Sequence, residues 1–323
     1  MIKDLVSIIS PCYNGEDYVE RFFKSILLQT YKQIELIFIN DGSIDNTEKI
    51  ALKYKKIFEE NDIPFYYIYQ ENAGQAAALN KGLKIFKGEY LTWPDSDDSL
   101  EPNSIEKKVN FLKNHNEYGY VRTCANIINE KTQKITGYLK PNKTEIQEDL
   151  FEDFIMCNDV WFAPGCYMVK TRAFLDCIPE RHIYSHRGGQ NWQMLLPIAK
   201  KYKCGFINEN LYNYYERENS HSHKTGNIEI ELERIKGYEE ILENVLNQLK
   251  EYQHYEMKLK EKNARLKMKI ALEYQDKDLL KKEYKKLKQM KKISIRDKII
   301  YLRGRYRLFD RLYKVIYKIT KGG

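Results

Sequence analysis

Over the first hundred residues the hydrophobic pattern alternates between two kinds of segment. Residues 5–10, 34–40, 65–69 and 89–93 are short, rich in β-branched or aromatic side chains, and end in turn-forming residues, which predicts strands. Between them, at about 18–29, 47–59 and 75–86, lie longer stretches of helical character. Such alternation builds βαβ units around a parallel sheet, and ligands then bind at the carboxyl ends of the strands. The expected class is α/β, with the chemistry just beyond each strand.

The pattern changes twice further on. From about 150 to 219 the chain mixes aromatic strands and short helices joined by Gly and Pro turns. From Ile228 it turns to Glu, Lys, Leu and Tyr, and Ile235, Tyr238, Leu242, Val245, Leu249 and Tyr252 step by three and four, which fits a coiled coil or a helical hairpin. A second stripe, Ile299, Leu302, Tyr306, Phe309, Tyr313 and Ile316, runs among arginines and lysines. No internal repeat is visible. The expected organisation is an α/β domain at 1–225, a helical arm at 226–290 and a basic amphipathic tail at 291–323.

Charge sharpens this division. The net charge is +8, yet residues 291–323 alone carry eleven Lys and Arg against Asp297 and Asp310, so the rest of the chain is close to neutral. A locally basic end points to a local anionic partner, and without a recognition motif nucleic acid is not expected. An apolar stripe flanked by Lys and Arg fits an interfacial helix on an anionic membrane surface; the alternative is docking through the same stripe on the protein itself or a second subunit. No stretch approaches the roughly 18 apolar residues of a membrane span. The apolar run near the start is too short for a signal peptide and follows Asp4, so residence in the cytoplasm is expected. Six cysteines without a CxxC pair then read as reduced thiols.

Three acidic or polar clusters follow predicted strands: Pro11-Cys12-Tyr13-Asn14-Gly15-Glu16, Asn40-Asp41-Gly42-Ser43-Ile44-Asp45 and Asp95-Ser96-Asp97-Asp98. Neighbouring carboxylates repel unless a cation or ligand hydroxyls satisfy them. A hard divalent cation bridging to diphosphate oxygens resolves that repulsion. Asp41, as an acceptor only, suits a nucleobase or ribose. A calcium loop starting at Asp95 is disfavoured because Leu100 stands where that loop needs Gly.

The phrases VSIISPCYNGEDYV, IELIFINDGSIDNT, ENAGQAAALNKGL, KGEYLTWPDSDD and GGQNWQMLLP, in that order over about 4–220, resemble glycosyltransferase family 2. The resemblance implies the GT-A fold, a Rossmann-like α/β nucleotide-diphospho-sugar transferase fold, here with a C-terminal helical extension. It also implies a nucleotide-sugar donor, Mg²⁺ or Mn²⁺, inversion at the anomeric carbon, and a glycan or lipid-linked acceptor. Pro11, Tyr13 and Glu16 would line the nucleotide pocket, and Asp41 would hold the base. Asp95 and Asp97 would form the DxD motif toward ribose and metal, with Asp98 a second metal candidate. His221 or His223 would add a ligand, and Arg217 would clamp phosphate oxygens.

One departure stands out. Where many relatives carry Glu-Asp before an aromatic residue, this chain has Gln190-Asn191-Trp192, and neither amide takes a proton at neutral pH. Three explanations remain: another carboxylate such as Asp159 is the base, the amides position substrate, or the domain binds donor without efficient transfer. The last is the rival reading, a weak or inactive GT-A domain acting as a scaffold through a self-associating arm. Trp192 is open between stacking on a sugar and plugging the seam between helix and sheet.

Overall fold

The computed structural model describes residues 1–142, 144–186, 189–217 and 226–313. The chain divides into two compact units, Met1–Ser220 and His221–Gly323.

The first unit opens with β1 (Ile2–Cys12), β2 (Ile34–Asp41), β3 (Phe65–Gln70) and β4 (Gly88–Thr92), connected through α1 (Val19–Leu27), α2 (Thr47–Glu60) and α3 (Gln75–Ile85). The four strands are parallel in the order β3-β2-β1-β4, with Ile8 opposite Leu36 on one side and Thr92 on the other. Each strand and helix anticipated in the first hundred residues is present. β2 is buried at every position, as a strand covered on both faces must be, which explains its near-continuous apolar run. Its one charge on the way, Glu35, accepts from Ser7 Oγ (2.5 Å) and Lys87 N (2.7 Å). Gly82 of α3 lies so close to β1 that a Cβ there would sit 2.4 Å from Ile9 Cγ2.

The sheet then turns antiparallel. It continues through β5 (Ser99–Leu100), α4 (Ser104–Asn114), β6 (Tyr118–Asn129), β7 (Lys134–Leu139), α5 (Phe151–Met156), β8 (Tyr167–Lys170), α6 (Thr171–Cys177), α7 (Gln190–Lys201) and β9 (Lys203–Glu216). β8 pairs with β4, β6 with β8, β9 runs parallel to β6, β5 closes on β9, and β7 pairs with β6. Because Ser99 pairs with Asn213, the loop at 95–98 between β4 and β5 is brought beside the end of β9. All six cysteines are free thiols.

The second unit is helical: α8 (Ile228–Gln248), α9 (Tyr252–Glu273), α10 (Lys277–Gln289) and α11 (Ile295–Arg305). The stripe through Tyr252 breaks at Lys250, whose φ is +60°, so the chain reverses. Lys267 pairs with Glu239 (2.7 Å) and Tyr274 OH donates to Glu231 (3.3 Å), which makes α8 and α9 an antiparallel hairpin. Ala264, Met268, Ala271, Leu280 and Leu287 form the core, and Ile300 and Tyr301 of α11 pack onto it. Ser294 and Asp297 form a capping box, and buried Asp297 also accepts Arg265 Nε on both oxygens at 3.1 Å. The start of the basic tail is thus packed on α9 and α10, while Ile295, Tyr306, Leu308 and Leu312 stay exposed. Ile316 of the tail stripe lies outside the described residues. Among the described residues no helix is long and apolar enough to cross a membrane.

Candidate active site

The loops following β1, β2 and β3 are zipped together by polar side chains that the sequence puts at their turns. Asn14 N donates to Ser43 Oγ (2.9 Å), and Ile44 N returns a bond to Asn14 Oδ1 (3.0 Å). Gly15 N donates to Thr47 Oγ1 (2.7 Å) and Glu16 N to Asp45 Oδ2 (3.0 Å). Glu16, at the surface, accepts from Asn46 N and Nδ2 through one oxygen. Pro11 is buried at the end of β1, whereas Tyr13 presents nearly half of its surface (47%) to solvent.

Asp41 closes β2. Its carboxylate accepts from Gln70 Nε2 (2.7 Å), Ala73 N (2.9 Å) and Gly74 N (2.9 Å), and its carbonyl accepts from Asn72 Nδ2. The side chain expected to hold a base therefore already organises the 70–74 loop, and it is 4% exposed. Gly42, with φ +73°, lets that loop approach, since a Cβ would stand 2.6 Å from Asn72 N.

Beyond β4, carboxylate oxygens of Asp95, Asp97 and Asp98 lie within 4.8 Å of one another. They differ in their surroundings. Asp98, 1% exposed, accepts from Tyr212 OH (2.7 Å) on one oxygen and Tyr215 N (2.9 Å) on the other, so it anchors the end of β9. Asp95 and Asp97 are the more accessible pair. Asp95 accepts from Gln75 Nε2 (2.6 Å). Burial, then repulsion from Asp97, pushes its carboxyl up to about 7. Burial, then the charges of Asp97 and Asp95, also raise Asp98 well above the ordinary carboxylate range. Three carboxylate side chains gathered this closely, two of them pushed up by burial and neighbouring charge, are a donor set suited to a hard divalent cation.

Basic side chains hold the other side. Arg21 spans the site: it pairs with Glu130 (2.8 Å), donates to Asp97 O (2.5 Å) and stacks on Tyr215, 3.5 Å from the ring centre. Arg217 follows directly after β9 and forms an ion pair with Asp97 Oδ2. His221 and His223 lie outside the described residues.

On the far side of β4, Asn191 Oδ1 accepts from Trp93 Nε1 (3.0 Å) and its Nδ2 donates to Phe162 O (2.9 Å). This side chain ties α7 to the strand leading to Asp95 and to the 157–163 segment. Gln190 is buried at the start of α7. Trp192 is a plug: its Nε1 donates to Phe154 O (3.0 Å) and its ring lies 4.9 Å from Phe162. Asp159, half-buried with φ +52°, accepts from Asn142 N and Nδ2 through Oδ1. Sequence reasoning singled out neither Gln75 nor the pair Tyr212 and Tyr215. Gln75 stands inside the quoted ENAGQAAALNKGL phrase, whereas the tyrosines carry no local signal.

Residues 7–177 match the family model described as glycosyl transferase family 2. An uncharacterized glycosyltransferase of Haemophilus influenzae is 41% identical over 233 residues, 68% of this chain and 90% of that protein. Several uncharacterized Rickettsia glycosyltransferases match at 39–43% identity over 43–45% of this chain, which spans 44% or less of their length. The fold is that of S. aureus TarS 1-349 in complex with UDP-GlcNAc, at TM-score 0.55 and 17% identity, covering 98% of this chain and 92% of that one. It is also that of the mannosyltransferase PcManGT from Pyrobaculum calidifontis in complex with GDP-Man and Mn²⁺, at TM-score 0.53 and 14% identity, covering 95% and 82%. Both neighbours share the GT-A architecture.

Proposed function

This chain belongs to glycosyltransferase family 2, and from that premise we propose that it transfers a sugar from a UDP-sugar, with inversion, onto a glycan or lipid-linked acceptor in surface-polysaccharide assembly. The observation that carries this reading is the convergence of Asp95, Asp97 and Asp98 at the carboxyl end of β4, beside loops tied by Asp41 and Glu16. The likeness to TarS, whose crystal structure contains UDP-GlcNAc, supports the choice of nucleotide.

The residues fit a divalent cation, Mg²⁺ or Mn²⁺, held by Asp97 and Asp95 with Asp98 behind them. When bound, it would neutralise the charge that develops on the departing nucleoside diphosphate. Gln75 fixes Asp95, Arg21 fixes the Asp97 backbone, and Tyr212 with Tyr215 fix Asp98. We assign the acceptor proton to Asp159, because Asn191 is engaged on both polar atoms and Asp159 is a carboxylate in the 157–163 segment that Asn191 anchors. The exposed basic residues 305–311, with Leu308 and Leu312, support contact with an anionic inner membrane face and hence a cytoplasmic, peripheral enzyme.

Incubating the protein with a panel of nucleotide sugars, with and without Mn²⁺, and measuring nucleoside diphosphate release tests this reading. Turnover with a UDP-sugar that Asp97→Ala abolishes is expected. Asp159→Asn should lower kcat by about 10²–10⁴-fold while leaving UDP binding intact. Absence of turnover with every donor and acceptor extract, alongside retained UDP binding, would instead favour the scaffold reading, to which the engaged Asn191 lends support.

A further inference from the structure

The pairing of Arg217 with Asp97 joins a residue suited to phosphate with a residue suited to metal. Three features define the contact. Arg217 meets Asp97 through a single oxygen, Oδ2, and its guanidinium lies over the Tyr18 ring, 4.3 Å from the centroid. Tyr18 is itself fixed, donating to Asn14 O at 2.7 Å. Among the described residues Arg217 Nε is buried without a hydrogen-bond partner. A one-oxygen pair with an unmet donor is weaker than the two-pronged arrangement a guanidinium prefers.

Arg217 is nevertheless kept in place by the strand that leads into it. Two residues earlier, Tyr215 N is bonded to Asp98, and Tyr212 OH to the other Asp98 oxygen. The end of β9 is therefore pinned to the same acidic loop that Arg217 neutralises. A divalent cation drawn to Asp97 must contend with the guanidinium already resting on Oδ2, because two positive charges repel across one carboxylate.

We propose that Arg217 is the resident counter-cation of the acidic loop: it neutralises Asp97 when donor and metal are absent, and it yields Asp97 to the divalent cation when the donor diphosphate offers it a new partner. This inference rests on the metal-assisted donor site read above. It makes the donor-free protein a poor cation binder and couples cation and nucleotide affinity. Diphosphate that engages Arg217 removes the competitor from Asp97, and by linkage the cation tightens nucleotide binding by the same factor. The positive charge is not lost in the exchange; it moves from protein carboxylate to ligand phosphate.

Titration of Mn²⁺ into the full chain, with free ion followed by its paramagnetic resonance signal and with or without UDP, tests the proposal. Arg217→Gln should bind Mn²⁺ alone about tenfold more tightly than the wild type, the effect of losing one competing ion pair. The same variant should lose most of the tightening that UDP gives the wild type. Asp97→Asn serves as the control and should bind Mn²⁺ weakly in every condition. Unchanged or weaker Mn²⁺ binding by Arg217→Gln without UDP would overturn the counter-cation role while leaving the metal site standing. If neither wild type nor variant binds Mn²⁺ even with UDP, the metal reading fails and the inference with it. The far-UV circular dichroism spectrum of Arg217→Gln should match that of the wild type, as the check that the fold is kept.

Discussion

The crowding of Asp95, Asp97 and Asp98 has a consequence for stability that can be measured without a substrate. Burial and the neighbouring Asp97 raise the Asp95 carboxyl from 3.8 to about 7. Between these values the folded protein retains a proton that the unfolded chain has released. The folded state then binds more protons, so the stability contributed by this group falls as pH rises from about 4 to about 7. At about 1.4 kcal/mol per pH unit the bound is about 4 kcal/mol, and partial access of water to Asp95 reduces it to about 2 kcal/mol. Urea denaturation of the cation-free wild type and Asp95→Asn across pH 4–8 reports the contribution of Asp95 together with the part of the Asp98 shift that its charge causes, because carboxyls elsewhere are common to both. The wild-type stability minus that of the variant should fall by about 2 kcal/mol over this window. Mn²⁺ added at pH 7.5 should recover stability in the wild type, by about 2.7 kcal/mol at a hundred times its dissociation constant. The difference curve would falsify the reasoning if it stayed flat or rose with pH, for then the three carboxyls would not be crowded in solution.

Three further outcomes follow from contacts elsewhere. Asn191→Asp replaces the donor to Phe162 O with a carboxylate, so it should destabilise the first unit by about 1–3 kcal/mol in urea without raising kcat, although it installs the acid that the family resemblance implies at that place. Asp297→Ala removes both the α11 capping box and the partner of Arg265; thermal melts should show a loss of about 2–4 kcal/mol in the helical unit, with Mn²⁺ and UDP affinities unchanged. Exchanging exposed Arg307 and Arg311 for Glu should weaken cosedimentation with anionic vesicles by tenfold or more, at about 1 kcal/mol per basic residue, and equal binding by wild type and variant would argue that the tail serves another surface.

The parallel half of the fold was legible because its signals are local. In β1, β2 and β3 the apolar runs stop at turn residues, and the helices between them begin where the pattern changes. The half after 118 was not legible in the same way. There β6 is bordered by β7, β8 and β9, partners drawn from positions up to about ninety residues downstream, and no window of sequence encodes such pairings. The helical unit shows a milder version of this limit. Its stripe continued through Leu249 and Tyr252 without a break in period, and only the left-handed Lys250 in the structure turns one helix into two.

The site divides along the same line. Asp41 and the 95–98 carboxylates, singled out because they follow strands, do lie at the carboxyl ends of β2 and β4. Their roles depend on partners that position does not reveal: Asp41 looks inward to Ala73 and Gly74, and Asp98 looks back to Tyr212 and Tyr215. The amides of Gln190-Asn191 make the point most directly. Read as a missing base, Asn191 is a deficiency; seen between Trp93 Nε1 and Phe162 O, it is the side chain that can accept from one and donate to the other at once. An ionised carboxylate there would face a carbonyl oxygen with no proton to offer. An amide at that place therefore leaves the 95–98 carboxylates undisturbed, and under the proposed function the base is Asp159 of the 157–163 segment that Asn191 anchors.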